Sequence, residues 1–593
     1  MLKGILALLV SMFTAYWAWI IFRTEPAIVS LFAPEISGAG ENIGELLNSC
    51  NQYMRFAVDE LSRLIVLLGG LFGLLISLYS LKGVSAEDKC RNFQSYFLIT
   101  LGFSFGTILA DNLLLFIFFW GILALTLYKL IPAYDEESSA AAKKTLIMIG
   151  SSDGIIIIGI AILFKLTGSL TMSNISIETG SLLSYAAFFA LLTGSFTKAG
   201  AFPFHSWIPD YAQKAPAASS AYLPASLDKL LGIYFLVRIC HDMFVMSDIL
   251  RLLILCLGVI TIITAVMMAL VQHNYKKLLG FHAVSQVGYM VLGIGLGSVL
   301  GLAAGLFHMI NHALYKSGLF LVSGNIKTQT GEDDLDNLGG LSTKMPLTYI
   351  AALVFALSIS GIPPFNGFAS KWMIYQGIID FGSGTAIANK LWIIWLALAV
   401  LGSALTLASF IKFISGAFLG NMDDKMQDIR EVRMTMILPV IILALLCTGL
   451  GVFATSWFIP GIFFPVTGQF EFYGVWQSTN VSLLIFFSIL LGVVIYLGTN
   501  HGKLRKAESF IGGEKMSADR GFPVTGFFET IRNAPLLSQI YDTANKGWFD
   551  IYSRSKDCIL WLNKGLSKGH DGVLHTYLLW IFGGLVIILL ILL

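Results

Sequence analysis

Between Phe307 and Leu319 the chain reads FHMINHALYKSGL, which sets His308, His312 and Lys316 at spacings of four and four. On a helix such residues stack along one face. Three groups able to take and release protons, in a run otherwise rich in Leu, Gly, Ala and Phe, make a ladder of stopping points for a proton. Histidine suits that work because its ordinary pKa is about 6.5. A His-x-x-x-His pair also binds metals, but no Glu follows the first His and no third ligand is evident. Hydrogen bonding between helices is the remaining reading.

Other ionisable residues stand in equally apolar surroundings. They are Asp153 in IMIGSSDGIIIIGI, Lys198 in LLTGSFTKAGAF, Asp228 and Lys229 in YLPASLDKLLGIYFLVR, and Lys371 in GIPPFNGFASKWMIY. Charges inside a membrane are costly and mark ion pathways. Three of them also have a plainer reading: Lys198 can snorkel to an interface, Asp153 can cap local backbone, and Asp228 can be a structural partner. Asp228 and Lys229 are neighbours, so they point about 100° apart and are not simply a self-neutralising pair.

The elements that must position these groups follow from composition. The 593 residues are 56% hydrophobic and 12% charged, with a mean hydropathy of +0.77. This excludes an ordinary soluble protein. Apolar runs of roughly twenty residues, the length that crosses a bilayer core, recur throughout. Spans are predicted at 4–22, 60–81, 94–110, 112–131, 144–165, 182–203, 216–240, 249–271, 279–297, 299–323, 346–381, 389–417, 434–456, 479–497 and 574–593. The fold class is therefore all-α and polytopic, with about fifteen transmembrane helices. The first span reads as a retained helix because it lacks a small-residue cleavage site.

Two of these spans are interrupted, one by KAGAFPF and one by SGIPPFNGF. Proline removes a backbone donor, so such breaks survive in a membrane only where protein or water covers them. Breaks about 170 residues apart hint at an internal repeat, a common build of transporters, with Lys371 mirroring Lys198. Basic loops holding Lys82, Lys143, Lys144, Lys214, Lys276, Lys277, Lys327 and Lys344 alternate with loops poor in Lys and Arg. That pattern puts the N-terminus in the cytoplasm and the C-terminus outside. Six scattered cysteines without a CxxC pair suggest neither a zinc site nor an iron–sulfur cluster, so no cofactor is expected in this chain. Whether the chain is itself an enzyme stays open.

Residues 500–573 are too polar for the bilayer core, yet Ile, Leu, Trp and Phe recur at helical spacing. They read as an amphipathic helix along the membrane surface, about 60 Å long over forty residues, pinned by an anchor helix at 574–593. A strap of that length suggests a neighbouring protein in the same assembly.

Several stretches together carry a resemblance: ADNLLLFIFFWG, GSFTKAGAFPFHSWIPDYAQKAPAASSAYLPASLDK, YKKLLGFHAVSQVGYM, HMINHALYKSGLFLVSG and SGIPPFNGFASK. From about Phe56 to Ser456 the chain resembles the antiporter-like subunits of respiratory complex I, Mrp antiporters and energy-converting membrane-bound hydrogenases, including formate hydrogenlyase. The resemblance implies two inverted five-helix repeats, each with a broken helix. It divides the chain into N-terminal helices and a polar loop (1–93), a first repeat (94–240), a second repeat (249–417), further helices (418–499), the lateral helix (500–573) and the anchor (574–593). It implies that Lys198 is the first-repeat lysine, Lys229 the connecting lysine, Lys371 the exit lysine, and His308, His312 and Lys316 the axis between them. Asp153 matches a family aspartate. Where the family has a glutamate that pairs with the first lysine, this chain has Gly121, so Lys198 is expected either to lose its proton more easily or to borrow Asp153 as partner. One helix fewer than in many relatives precedes Phe56, leaving a polar stretch at 35–51.

The function expected is translocation of protons or sodium ions within a complex I-like or hydrogenase-type assembly of the bacterial or archaeal cytoplasmic membrane. Other membrane and peripheral subunits would carry the redox centres, oxidising ferredoxin, formate or a nicotinamide with hydrogen or quinone as acceptor. The alternatives are a subunit of an Mrp-type cation/proton antiporter, part of a proton-driven inorganic-carbon uptake complex, or a structural anchor. A glycan polymerase would want large polar loops with acidic or arginine clusters, which are absent. Nothing suggests nucleic acid as a partner.

Overall fold

A computed structural model describes residues 2–30, 53–84, 92–132, 135–420, 426, 428–499, 526–568, 570 and 572–592. The polar stretch at 35–51, Cys50 and Cys90 lie outside the described residues. So does the start of the expected lateral helix, up to residue 525. Two compact units divide the chain, residues 1–533 and 534–593.

In the first unit, helices occupy every span expected from the sequence. Their ends are set by local chemistry. Asp59 and Ser62 form a capping box at Glu60–Gly83, Ser181 and Ser184 another at Leu182–Ala199, and Asp135 caps Glu136–Thr167. Such caps satisfy amide groups that a helix start leaves orphaned. Asp59 also pairs with Arg238. Burial works against the Asp59 carboxylate, but Arg238 and the Ser62 amide outweigh it and hold the group below the ordinary carboxylate range.

Among the described residues, ten helices are long and apolar enough to cross a membrane, and Phe93–Leu109, Leu113–Lys129 and Pro346–Ser360 are shorter apolar helices. The helices Asp228–Val237, Val299–Thr330 and Asn366–Phe381 are not among these. They carry Asp228, Lys229, His308, His312, Lys316 and Lys371. Asp228–Val237 and Asn366–Phe381 are too short, at 10 and 16 residues, and polar side chains interrupt the apolar run of Val299–Thr330, which burial by the helices around it allows.

Val299–Thr330 is the central helix. It packs against Tyr275–Gly295, Pro346–Ser360, Asn366–Phe381 and Met434–Val452. Glycine lets its N-terminal half approach closely: a Cβ on Gly293 would sit 2.9 Å from the backbone of Gly305. Small residues at a crossing are how membrane helices gain packing contacts.

The span expected at 216–240 has three parts: Ala217–Tyr222, a wide π turn at Leu223–Leu227, and Asp228–Val237. Pro224 lacks an N–H and breaks the ordinary ladder. The Ser226 hydroxyl fills in, donating toward Ala221 and Tyr222 carbonyls at 2.9 and 2.7 Å.

In the second unit the expected single rod is divided. Pro535–Asn545 and Ile551–Lys568 are separate helices, and Gly547, at φ +73°, turns the chain between them. Leu574–Leu592 follows as an apolar helix of membrane-crossing length.

Candidate ion pathway

The two interrupted spans end in the same way. Leu182–Ala199 stops at Gly200 (φ +80°) and Pro346–Ser360 at Gly361 (φ +81°), both left-handed, a conformation that suits glycine. A helix end leaves backbone carbonyls without partners. At the first break Trp207 Nε1 donates to the Thr197 carbonyl at 2.9 Å, and Lys229 Nζ donates to the Ala199 carbonyl. At the second, Lys371 Nζ donates to the Ile359 carbonyl at 2.9 Å.

Lys371 therefore does not mirror Lys198, as the sequence suggested. Lys198 precedes its glycine by two residues on the same half-helix, and its Nζ makes no hydrogen bond. The residue that does at the first break what Lys371 does at the second is Lys229, thirty positions away from Ala199. The π turn sets the helical phase that brings Lys229 there.

Lys198 lies fully buried, with Nζ 4.9 Å from the centre of the Trp120 ring. Trp120 Nε1 in turn donates to Asp153 Oδ1 at 2.8 Å. Asp228 is the carboxylate that bears most strongly on Lys198, ahead of Asp153. Gly121 is turned away from this cluster. On its helix, Leu114, Phe118 and Leu125 share its face and are 47%, 57% and 56% exposed, and a Cβ on Gly121 would meet nothing within 4 Å. Residues one apart differ by about 100°, so the side chain aimed at Lys198 comes from position 120.

From the first break, buried groups continue into the central helix. His308, His312 and Lys316 are all 0% exposed. The charges that bear on His312 are those of Lys229, Lys316 and His308, and the charge that bears on His308 is that of Lys371. His308 Nδ1 lies 3.0 Å from Ser370 Oγ, and Nε2 lies 3.2 Å from Gln286 Oε1. The Tyr289 ring stands between His308, at 5.3 Å between centroids, and Lys371, whose Nζ is 4.8 Å from the ring centre. Lys316 Nζ and both oxygens of Asp228 make no hydrogen bond, and the His312 ring has only the Ala225 backbone near it, with no hydrogen bond of ordinary geometry.

The structure thus places Lys316 and His312 near Lys229 at the first break and His308 near Lys371 at the second, all three central groups on one helix. Lys198 and Asp228 flank the first break, and Asp153 joins through Trp120. The sequence reading overlooked Trp120, Gln286, Tyr289 and Ser370. Gln286 and Tyr289, with His282, lie at helical spacing in YKKLLGFHAVSQVGYM, and that polar stripe in a buried helix was the available signal.

Residues 110–397 match the family described as NADH:quinone oxidoreductase/Mrp antiporter, transmembrane. The chain is 33% identical over 419 residues to the A1 subunit of a Na(+)/H(+) antiporter from Staphylococcus haemolyticus, covering 67% of this chain and 52% of that protein. It is 32% identical over 420 residues to a Na(+)/H(+) antiporter subunit from Alkalihalophilus pseudofirmus, with the same coverage. The chain spans about half the length of the curated relatives it matches. Among solved structures, a chain of the membrane-bound sulfane sulfur reductase (MBS), an archaeal respiratory membrane complex, aligns with TM-score 0.78 at 22% identity, covering 100% of this chain and 98% of that one. A chain of the Mrp complex from a Dietzia species aligns with TM-score 0.66 at 23% identity, covering 79% and 92%. The helical architecture, the paired glycine breaks and the matched sequence agree, and this multi-pass membrane chain belongs to the antiporter-like family that NADH:quinone oxidoreductases and Mrp antiporters share.

Proposed function

We propose that this chain carries protons through the membrane as one component of a larger assembly, handing them along the row from Lys229 to Lys371. One observation carries the proposal. Five exchangeable groups are buried, the lysines at either helix end and three groups on the helix that packs near both, and polar atoms of His312 and Lys316 lack a hydrogen-bond partner of ordinary geometry. Each unpaired buried polar group costs about 1–3 kcal/mol. A static core would be selected against that cost, whereas a path of mobile protons and water satisfies such groups in turn.

The choice of proton over sodium rests on ligand chemistry. Hard cations want several oxygen ligands, and the groups from Lys229 to Lys371 are amines and imidazoles, nitrogen groups that offer sodium no oxygen shell and repel it when protonated. The energies match the task. Moving one charge through 100 mV takes about 2.3 kcal/mol, and one pKa unit corresponds to about 1.4 kcal/mol. Pairing and unpairing buried charges covers that range.

The driving reaction belongs to partner subunits, which would hold any redox cofactors, in the cytoplasmic membrane of a bacterium or archaeon with the N-terminus inside. Both solved neighbours come from multi-subunit membrane complexes, which supports partnership. A second reading, cation/proton exchange without a redox partner, is favoured by the sequence relatives, named as Na(+)/H(+) antiporter subunits. Proteoliposomes of the assembled complex test the proposal. Lys229→Ala should abolish proton uptake, followed with a pH-sensitive dye, while electron transfer in the partner subunits stays measurable. Unchanged uptake refutes the pathway. Uptake driven by a sodium gradient alone selects the second reading.

A further inference from the structure

A second set of buried basic groups lies beside the row. His282, on Tyr275–Gly295, is 0% exposed and bonds through Nε2 to Ser409 Oγ at 2.7 Å, while its Nδ1 has no partner. Ser409, Phe410 and Lys412 lie together on Trp392–Phe418. The Phe410 ring is flanked on both sides: its centre is 5.6 Å from Lys316 Nζ and 4.8 Å from the His282 ring centroid. Lys412 is 2% exposed, and its Nζ donates to the Leu270 and Gln272 carbonyls at 2.6 and 2.8 Å.

Beyond Lys412 the protein opens. A cavity of about 10 Å³, lined by Leu270, His273, Lys412, Phe528, Glu529 and Arg532 among others, offers the space of about one water molecule. It lies where Asp248–Leu270 ends and Tyr275–Gly295 begins. The loop there is tied to the end of the central helix, since Tyr275 N donates to the Asp333 carbonyl at 3.1 Å and Leu335 N to the His273 carbonyl at 3.1 Å. His273 Nδ1 lies 2.7 Å from Asp336 Oδ2 at this surface.

A lysine that only capped a helix end would need no buried histidine behind it. A histidine that only filled the core would have both nitrogens paired. Here His282 bonds to Ser409, which lies one helical turn before Lys412 on the same helix, and the histidine also stands against the Phe410 ring beside Lys316.

We infer that a side branch leaves the row at Lys316, passes Phe410 and His282, and reaches the loop surface through Ser409 and Lys412, so that protons exchange between the middle of the row and that side. It rests on the proton-pathway reading above. In each transfer a proton moves from one nitrogen or oxygen to the next, and no other bond changes. The Phe410 ring offers no exchangeable proton, so the step between Lys316 and His282 is carried by water entering at the edge of that ring, which takes the proton from one nitrogen and gives one to the other.

The test uses the assembled complex in liposomes with His282→Gln, Lys412→Gln and Lys316→Gln. Glutamine can still donate to Ser409 or to the two carbonyls but does not relay protons as imidazole or amine does. The branch requires His282→Gln and Lys412→Gln each to lower proton uptake about tenfold, which corresponds to about 1.4 kcal/mol in a barrier. If both stay within about twofold of the parent while Lys316→Gln abolishes uptake, the branch is wrong and the row stands. If Lys316→Gln is also like the parent, the row itself fails. Should either glutamine variant not assemble, Ser409→Cys decides. Reaction with a small cationic thiol reagent applied from the loop side, above that of the parent's own cysteines, supports the branch, and no added reaction overturns it.

Discussion

The two helix breaks share a backbone and differ in charge. Each ends a half-helix on a left-handed glycine and offers a freed carbonyl to a lysine. Around the first stand two lysines and two carboxylates, Lys198, Lys229, Asp228 and Asp153. Around the second, Lys371 meets the Tyr289 ring and a backbone oxygen. A positive charge at the first break has movable partners of opposite sign, whereas one at the second is balanced by dipoles. The first is suited to switching, because redistributing charge among four groups is cheaper than creating an unpaired one. The second is suited to passing a charge on.

Three experiments sharpen or break that contrast. The largest effect is expected from Asp228→Asn, which leaves Lys198 and Lys229 short of a buried counter-charge. Losing one partner of such a set typically costs about 3–5 kcal/mol. Proton uptake should be lost and the thermal midpoint of the purified complex lowered. Parent-like uptake would show that the first break does not depend on its carboxylates.

Next come Gly200→Ala and Gly361→Ala. Both force a Cβ onto a left-handed residue, at about 1–3 kcal/mol each. Gly200→Ala should be the worse, because its Cβ would meet Ile208 Cδ1 at 1.9 Å, against 3.0 Å to Lys371 Cδ at Gly361. Equal melting shifts would mean that the packing around the two breaks is alike.

The smallest effect is expected from Gly121→Glu. Its Cβ points into open space on the outer face of its helix, so uptake should stay within about twofold of the parent. A large change in uptake would place position 121 in the first cluster after all.

Much of this was legible in the sequence. Length and hydropathy of the runs gave the membrane helices, and the Gly and Pro punctuation in KAGAFPF and SGIPPFNGF marked both breaks. The four-residue spacing of His308, His312 and Lys316 survived intact because that helix is regular. What the sequence hid is helical phase. Pro224 and Ser226 make a π turn, and a wide turn rotates everything after it relative to the ordinary count, so the meeting of Lys229 with Ala199 was not readable. Trp120 and Gly121 raise a similar difficulty. A resemblance aligns positions along the chain, yet a step of one residue decides which of two neighbours faces the cluster. Contacts such as Trp120 with Asp153 join distant segments, and no local pattern encodes them.

The glycine stops also fix an electrostatic boundary. An α-helix carries roughly half a negative elementary charge at its C-terminal end, and the half-helices ending at Ala199 and Ser360 do so deep inside the protein. Unlike a carboxylate, that pole has no proton to gain, so neither acidity nor membrane voltage can erase it. The buried basic groups between the breaks are therefore framed by two permanent negative poles, set by chain direction alone, a constant background to any change in their charge.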